Sequence, residues 1–135
     1  MEKLRNKSEF NLSAARLLID KSLFAPSVHC SYYCCLQLVK VVIFTVLGQD
    51  QREFEATMAR QGGKSHRYMW DSIKTAIAER RNRQEEREAS RKFKDLKTYR
   101  EESDYLDIEV DHSKGEKAYA IALELKNIIQ KTFYS

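Results

Sequence analysis

Residues 26–47 read PSVHCSYYCCLQLVKVVIFTVL, a stretch that is apolar on nearly every side when wound as an α-helix. Pro26 suits the first helical turn, because its fixed φ matches the helix and its missing N–H would find no helical acceptor there. Gly48 follows where a left-handed cap residue is expected. A helix greasy all round belongs either at the centre of a bundle or in a bilayer. Its length approaches the roughly 20 residues of a membrane span. However, His29, Gln37 and Lys40 interrupt it and the flanking segments are amphipathic, so it is read as a bundle centre with no membrane contact.

The composition agrees. The chain has 135 residues, 42% of them hydrophobic and 33% charged, with only 4 Gly and 1 Pro. That is enough for one compact domain over residues 1–135 and too little for two. The scarcity of turn residues excludes a barrel or sandwich, which needs a turn after every short strand. The formal charge of +4, from 24 basic and 20 acidic residues, permits contact with nucleic acid without marking a dedicated binder. Cys30, Cys34 and Cys35 are an odd number crowded into six residues, which cannot build a disulfide framework. The opening MEKLRNKSEF is charged and lacks the apolar core of a signal peptide. Both features point to a cytoplasmic location.

On either side of the central stretch the chain reads as further helices. Leu4, Phe10, Ala14, Leu17 and Leu18 recur at helical spacing and predict an amphipathic helix over 3–23 with those residues inward. Residues 49–64, with Gly62-Gly63 and mixed charge, read as a long, mobile connection with a short helix over 52–60. Ser65 is placed to cap a third helix whose inward stripe is Met69, Trp70, Ile73 and Ile77. Ala89, Phe93, Leu96 and Tyr99 give the charge-dense segment 79–103 one apolar face and predict a fourth helix, with 80–87 readable as helix or loop. An acidic connection over 104–112 follows. Ser113 and Glu116 have the spacing of a capping box opening the last helix, to about 132, with Ala118, Ala122, Leu125 and Ile129 inward. Four main helices in up-and-down order are the simplest packing, and a homodimer is a natural way to bury what they leave of the central one.

Several clusters carry possible chemistry. His29, Cys30, Cys34 and Cys35 contain metal-binding residue types, but only Cys30 and Cys34 share a helical face, so no tetrahedral set forms and no metal is expected. Asp107, Glu109 and Asp111 copy the start of a calcium loop, yet His112 and Ala118 stand where its glycine and bidentate glutamate belong. Arg60, Lys64, His66 and Arg67 gather cationic groups around a flexible loop entering a helix, the makings of a phosphate site, but no complete phosphate-loop pattern is present and a solvated loop is the better reading. Arg83, Arg87 and Arg91 fall at four-residue steps on a face read as solvated and laced with ion pairs.

Two stretches together resemble a known family. Residues 25–48, with the His-Cys-Ser-Tyr-Tyr-Cys-Cys core, and residues 96–132, with Tyr-Arg-Glu-Glu-Ser-Asp-Tyr ahead of an alanine-bearing last helix, are similar to the HEPN (higher eukaryotes and prokaryotes nucleotide-binding) domains. The likeness is to the branch with Ser-Tyr-Tyr in the second helix and Arg-x-x-small-Asp-Tyr ending the helix before last, and His66 at the opening of the third helix also fits it. The resemblance implies an up-and-down bundle of four or five helices, usually a homodimer, without cofactor. Many such proteins are metal-independent RNases carrying Arg-x(4–6)-His, or pair with a small nucleotidyltransferase in toxin–antitoxin or stress systems. This chain keeps Arg100 at the arginine position but has Asp104 and Tyr105 where the histidine belongs; Arg60 and His66 have the spacing but precede the third helix. The resemblance thus implies a degenerate member that binds RNA, a nucleotide or a nucleotidyltransferase through Arg100, Asp104 and Tyr105, with Lys64, His66 and Arg67 as further candidates. The alternatives are an RNase using His66 as a displaced base with Arg60 or Arg100, and a structural subunit without nucleic-acid contact.

Overall fold

A computed structural model describes residues 1–105 and 107–134. Among them are six α-helices and one 3-10 turn, and no strand: α1 (Glu2–Asp20), α2 (Phe24–Thr45), α3 (Gln51–Gln61), the 3-10 turn Gly62–Lys64, α4 (Ser65–Arg80), α5 (Arg83–Tyr105) and α6 (His112–Tyr134). The all-α bundle expected from the sequence is what forms.

The direction of each long helix follows from its side-chain partners. Only three residues join α1 to α2 and Ser8 meets Cys34 along their shared face, so they run antiparallel; His29 near the start of α2 meets Asp104 at the end of α5, as in an antiparallel pair. Lys92 with Glu124 and Lys114 with Glu102 set α5 against α6 in the same way. Arg16 with Glu116 and Lys126 with Glu9 close the ring between α6 and α1. These four helices form the up-and-down bundle, while α3 and α4 make an arm inserted between α2 and α5, with α4 packed on both.

The apolar run becomes the centre. α2 touches α1, α4, α5 and α6, and Val28, Tyr32, Leu36, Val39, Val42 and Ile43 are buried. By length and composition α2 passes for a membrane span, but 61% of its most apolar window is buried inside the bundle. Pro26 occupies the third position of α2, where its missing N–H costs no hydrogen bond. Gly48 has φ +69, and the N–H of Leu47 reaches back to the carbonyl of Val42, so the chain leaves α2 through the left-handed residue anticipated there.

Four details differ from the sequence reading. On α1 the buried face is Ser8, Leu12, Ala15 and Ile19; Phe10 and Leu17 point to solvent. Ser8 is buried because its hydroxyl donates to the Cys34 carbonyl at 2.8 Å, which replaces the water it loses. Residues 49–64 are mostly helical rather than a long loop: Asp50 caps α3, accepting from the N–H groups of Arg52 and Glu53. α4 follows the 3-10 turn directly, so Ser65 makes no cap. The break between α4 and α5 falls at 81–82, where Asn82 accepts from the Glu85 N–H and donates to the Glu85 carboxylate, a reciprocal cap.

A further correction concerns α6. Asp111, not Ser113, supplies the cap, accepting from the Lys114 N–H at 2.9 Å. Glu116 is drawn instead to Arg16 of α1, at 2.8 Å, where a charged partner outcompetes a backbone N–H. The inward residues of α4 and α6 are as anticipated: Met69, Trp70, Ile73 and Ile77, then Ala118, Ala122, Leu125 and Ile129, are all buried. On α5, Ala89, Phe93 and Leu96 are buried, Tyr99 is half-buried, and Arg83, Arg87 and Arg91 are exposed.

Candidate functional site

The site grows from the last two turns of α5. Arg100, Asp104 and Tyr105 share one end of that helix, and a helical spacing of four places Arg100 under Asp104. Arg100 Nη1 donates to the Tyr105 hydroxyl at 3.1 Å and lies 3.7 Å from Asp104 Oδ2. Arg100 is 7% exposed, and its guanidinium carbon stands 5.0 Å from the Tyr32 ring centre, 5.8 Å from Tyr33 and 5.5 Å from Tyr105. Ring faces are electron-rich, so three of them stabilise a cation that has left water. The Nε of Arg100 is buried without a hydrogen-bond partner.

Asp104 has a second partner that sequence reading overlooked. His29 of α2 places Nδ1 at 2.9 Å from Asp104 Oδ2, and its ring stacks on Tyr33 at 4.5 Å. A carboxylate only accepts, so in the neutral ring the hydrogen sits on Nδ1 and Nε2 keeps a lone pair. The His29 side chain is 46% exposed, which leaves that lone pair open to a ligand. The sequence reading gives His29 no role in the Arg100 site; its place one turn from Tyr33, at the head of the His-Cys-Ser-Tyr-Tyr run, is the signal that points there. Among the described residues no group of three or more metal-ligating side chains converges.

His66, from the first turn of α4, joins the same cluster from the other side. Its Nδ1 shares a 2.9 Å hydrogen bond with the Tyr32 hydroxyl, and its ring is set edge-on to Tyr33. Tyr32 thus carries Arg100 over its ring and His66 on its hydroxyl. Burial, reinforced by the charges of Arg100, Lys40 and Lys97, pushes His66 from 6.5 down to about 4. Burial likewise pushes the Tyr32 phenol up. A histidine with so low a proton affinity is a weak base at neutrality.

The same shift makes stability depend on pH. The unfolded chain takes up the His66 proton first, so this group's contribution is complete above about pH 6.5 and is lost as the pH falls toward 4. Thermal melts of the wild type should show Tm falling through that window more steeply than in His66→Gln, which can keep the bond to Tyr32. Parallel curves for the two proteins would show that the ring is not held neutral.

Lys64 and Arg67 stand apart. Both are exposed; Arg67 approaches Asp71 at 3.9 Å and lines a different depression, between α4 and α5. Arg60 is exposed and donates to Thr57 on its own helix. Of the cationic group expected around Gly62-Gly63, only His66 enters the Arg100 cluster. Gly63 does contribute backbone to the wall of a depression of about 440 Å³ with Thr98, Arg100, Glu101, Glu102 and Tyr105. Glu101 is paired with Lys97, and Glu102 with Lys114 at 3.1 Å, so neither glutamate faces Arg100 as an uncompensated charge.

The geometry therefore offers a caged arginine and an exposed tyrosine in the wall of one depression, with a histidine oriented by the carboxylate that Arg100 also approaches. Such a set can hold an anionic group and exchange a proton with it. Comparison with protein-family models, curated proteins and solved structures finds no match for this chain, so its chemistry rests on these residues alone.

Proposed function

We propose that the chain is a HEPN-like helical module that binds RNA or a nucleotide through the depression beside Arg100. The observation that carries this reading is the position of Arg100: a cation 7% exposed, caged by three tyrosines, yet forming part of the wall of an open depression with Tyr105. A guanidinium held this way offers a fixed charge for a phosphate, and Tyr105, 72% exposed, offers a ring for a base. Asp104 does not oppose the anion, because His29 and Arg100 both attend its carboxylate. The unpaired thiols of Cys30, Cys34 and Cys35 fit a cytoplasmic protein. A homodimer belongs to the same proposal, with exposed Phe10 and Leu17 as apolar surface for a second copy. So does docking of a small nucleotidyltransferase, in a toxin–antitoxin or stress system.

A second reading, metal-independent RNA cleavage with a displaced histidine, is favoured by one observation. Its histidine is His29 rather than His66: Asp104 orients His29 and leaves Nε2 outward, whereas Tyr32 engages His66. In that reaction the 2′-hydroxyl gives its proton to Nε2 and attacks phosphorus, the P–O5′ bond breaks, and solvent protonates the leaving oxygen.

Single-stranded RNA titrated in EDTA tests both. The expected result is binding that weakens as salt rises and falls by roughly tenfold in Tyr105→Ala, a loss typical of one stacked base. RNA bound and left intact selects the module; RNA cut by the wild type but not by His29→Ala selects the enzyme. Neither RNA nor a nucleotide binding at low salt would end the proposal.

A further inference from the structure

A larger depression, about 560 Å³, opens at the opposite end of α2, between α1, α2 and α3. Its charged side chains are Lys3, Lys7 and Lys40 against Glu2 and Glu55, the Met1 amino end joins them, and its apolar wall includes Leu4, Phe44 and Phe54. Phe44 and Phe54 pack edge to face at 4.9 Å. Lys40 sits eleven residues beyond His29 on α2, about 16 Å along the helix axis, so this depression opens away from Arg100, although the Lys40 charge still reaches His66.

Lys40 is the feature that calls for a ligand. It is the one formally charged residue in α2 and is half-buried. None of the ion pairs among the described residues involves Lys40, Lys7 or Lys3, and Glu2 and Glu55 pair with none of them. Burial pushes the Lys40 ammonium down, and the charge of Lys7 adds to the effect. A half-buried cation with a second cation beside it and no carboxylate partner opposes folding. A ligand that supplies the missing negative charge reverses that cost.

We propose that this depression binds an amphipathic anion, an alkyl or aryl carboxylate, with its charge between Lys40 and Lys7 and its apolar body against Leu4, Phe44 and Phe54. Three lysines facing two glutamates, with the Met1 amino end also in the lining, leave a positive surplus that calls for an anion, and the apolar wall calls for an alkyl or aryl body on it. The volume lies within the range usual for small-molecule sites. The inference is independent of the RNA-binding proposal and survives its failure.

Octanoate, acetate, octylamine and octanol, each titrated calorimetrically into the intact protein, test it. Octanoate is expected to bind one to one, more tightly than the other three. Lys40→Met should weaken octanoate binding by at least roughly tenfold, the worth of one charge-assisted hydrogen bond, while raising the Tm of the ligand-free protein. Lys7→Met, at an exposed position that cannot disturb the core, should weaken it in the same direction. Octanol binding as well as octanoate, acetate as well as octanoate, no binding of octanoate, or equal binding by Lys40→Met would each overturn the proposal.

Discussion

Arg100→Ala is expected to destabilise the protein by about 3 kcal/mol, lowering Tm by roughly 10 °C. Arg100 is almost wholly buried, so the substitution leaves a void among Tyr32, Tyr33 and Tyr105, whose faces lose the cation lying 5.0 to 5.8 Å from their centres. It also removes the cationic partner of Asp104, whose side chain is only 23% exposed, and leaves that carboxylate the His29 ring alone. An enclosed charge left short of a partner is among the more costly single changes a domain can suffer. Arg100→Lys keeps the charge but not the flat plate that lies over a ring, and should fall between. Differential scanning calorimetry decides: an alanine variant melting within about 2 °C of the wild type would show that the tyrosine cage contributes nothing to folding.

The second large effect is expected at Tyr32. Its side chain is wholly enclosed and contacts α4 and α5 as well as its own helix, through His66, Phe93 and Arg100. Tyr32→Ala should cost about 3 to 5 kcal/mol, as removal of a buried ring generally does. Tyr32→Phe keeps the ring and loses only the hydroxyl that serves His66, which should cost about 1 to 2 kcal/mol. Urea titrations of both variants measure the ratio. Equal costs would place the energy in the hydrogen bond instead of in the packing.

How much of this was legible in the sequence differs from helix to helix. α2 announced itself, because a run with a single charged residue has one place to go in a bundle. α1 is rotated from the face its pattern suggests: Leu4, Ala14 and Leu18 are half-buried, Phe10 and Leu17 are exposed, and packing against α2 seats Ser8 and Ala15 beside Leu12 and Ile19. Local pattern has no term for the room a neighbouring helix leaves. The same limit explains the caps. Ser113 and Glu116 had the right spacing, yet Arg16, a hundred residues away, took the glutamate and left the capping to Asp111.

At the candidate site, Arg100, Asp104 and Tyr105 were visible because they lie within one helical turn or so of each other. His29 and Tyr32 were not, since what matters about them is the crossing of α2 over the end of α5, an event between segments 75 residues apart. His66 was visible as a residue type, while its neutral state depends on burial that only packing supplies. Lys64 and Arg67 are close to it in sequence, but Lys64 ends the 3-10 turn exposed to solvent and Arg67 lines the other depression, between α4 and α5.

The ring closure between α1 and α6 also bears on how the chain folds. The α1–α2 hairpin forms from local neighbours and the α5–α6 hairpin does the same, but Arg16 and Glu116 must find each other across a separation of 100 positions. That step carries the largest loop-closure entropy among these pairings and belongs late in folding. During synthesis the first hairpin must wait, with its greasy flank uncovered, until the final helix has left the ribosome. The interval exposes the nascent chain to chaperones and to its own copies, and it lengthens with every residue placed in the α3–α4 arm.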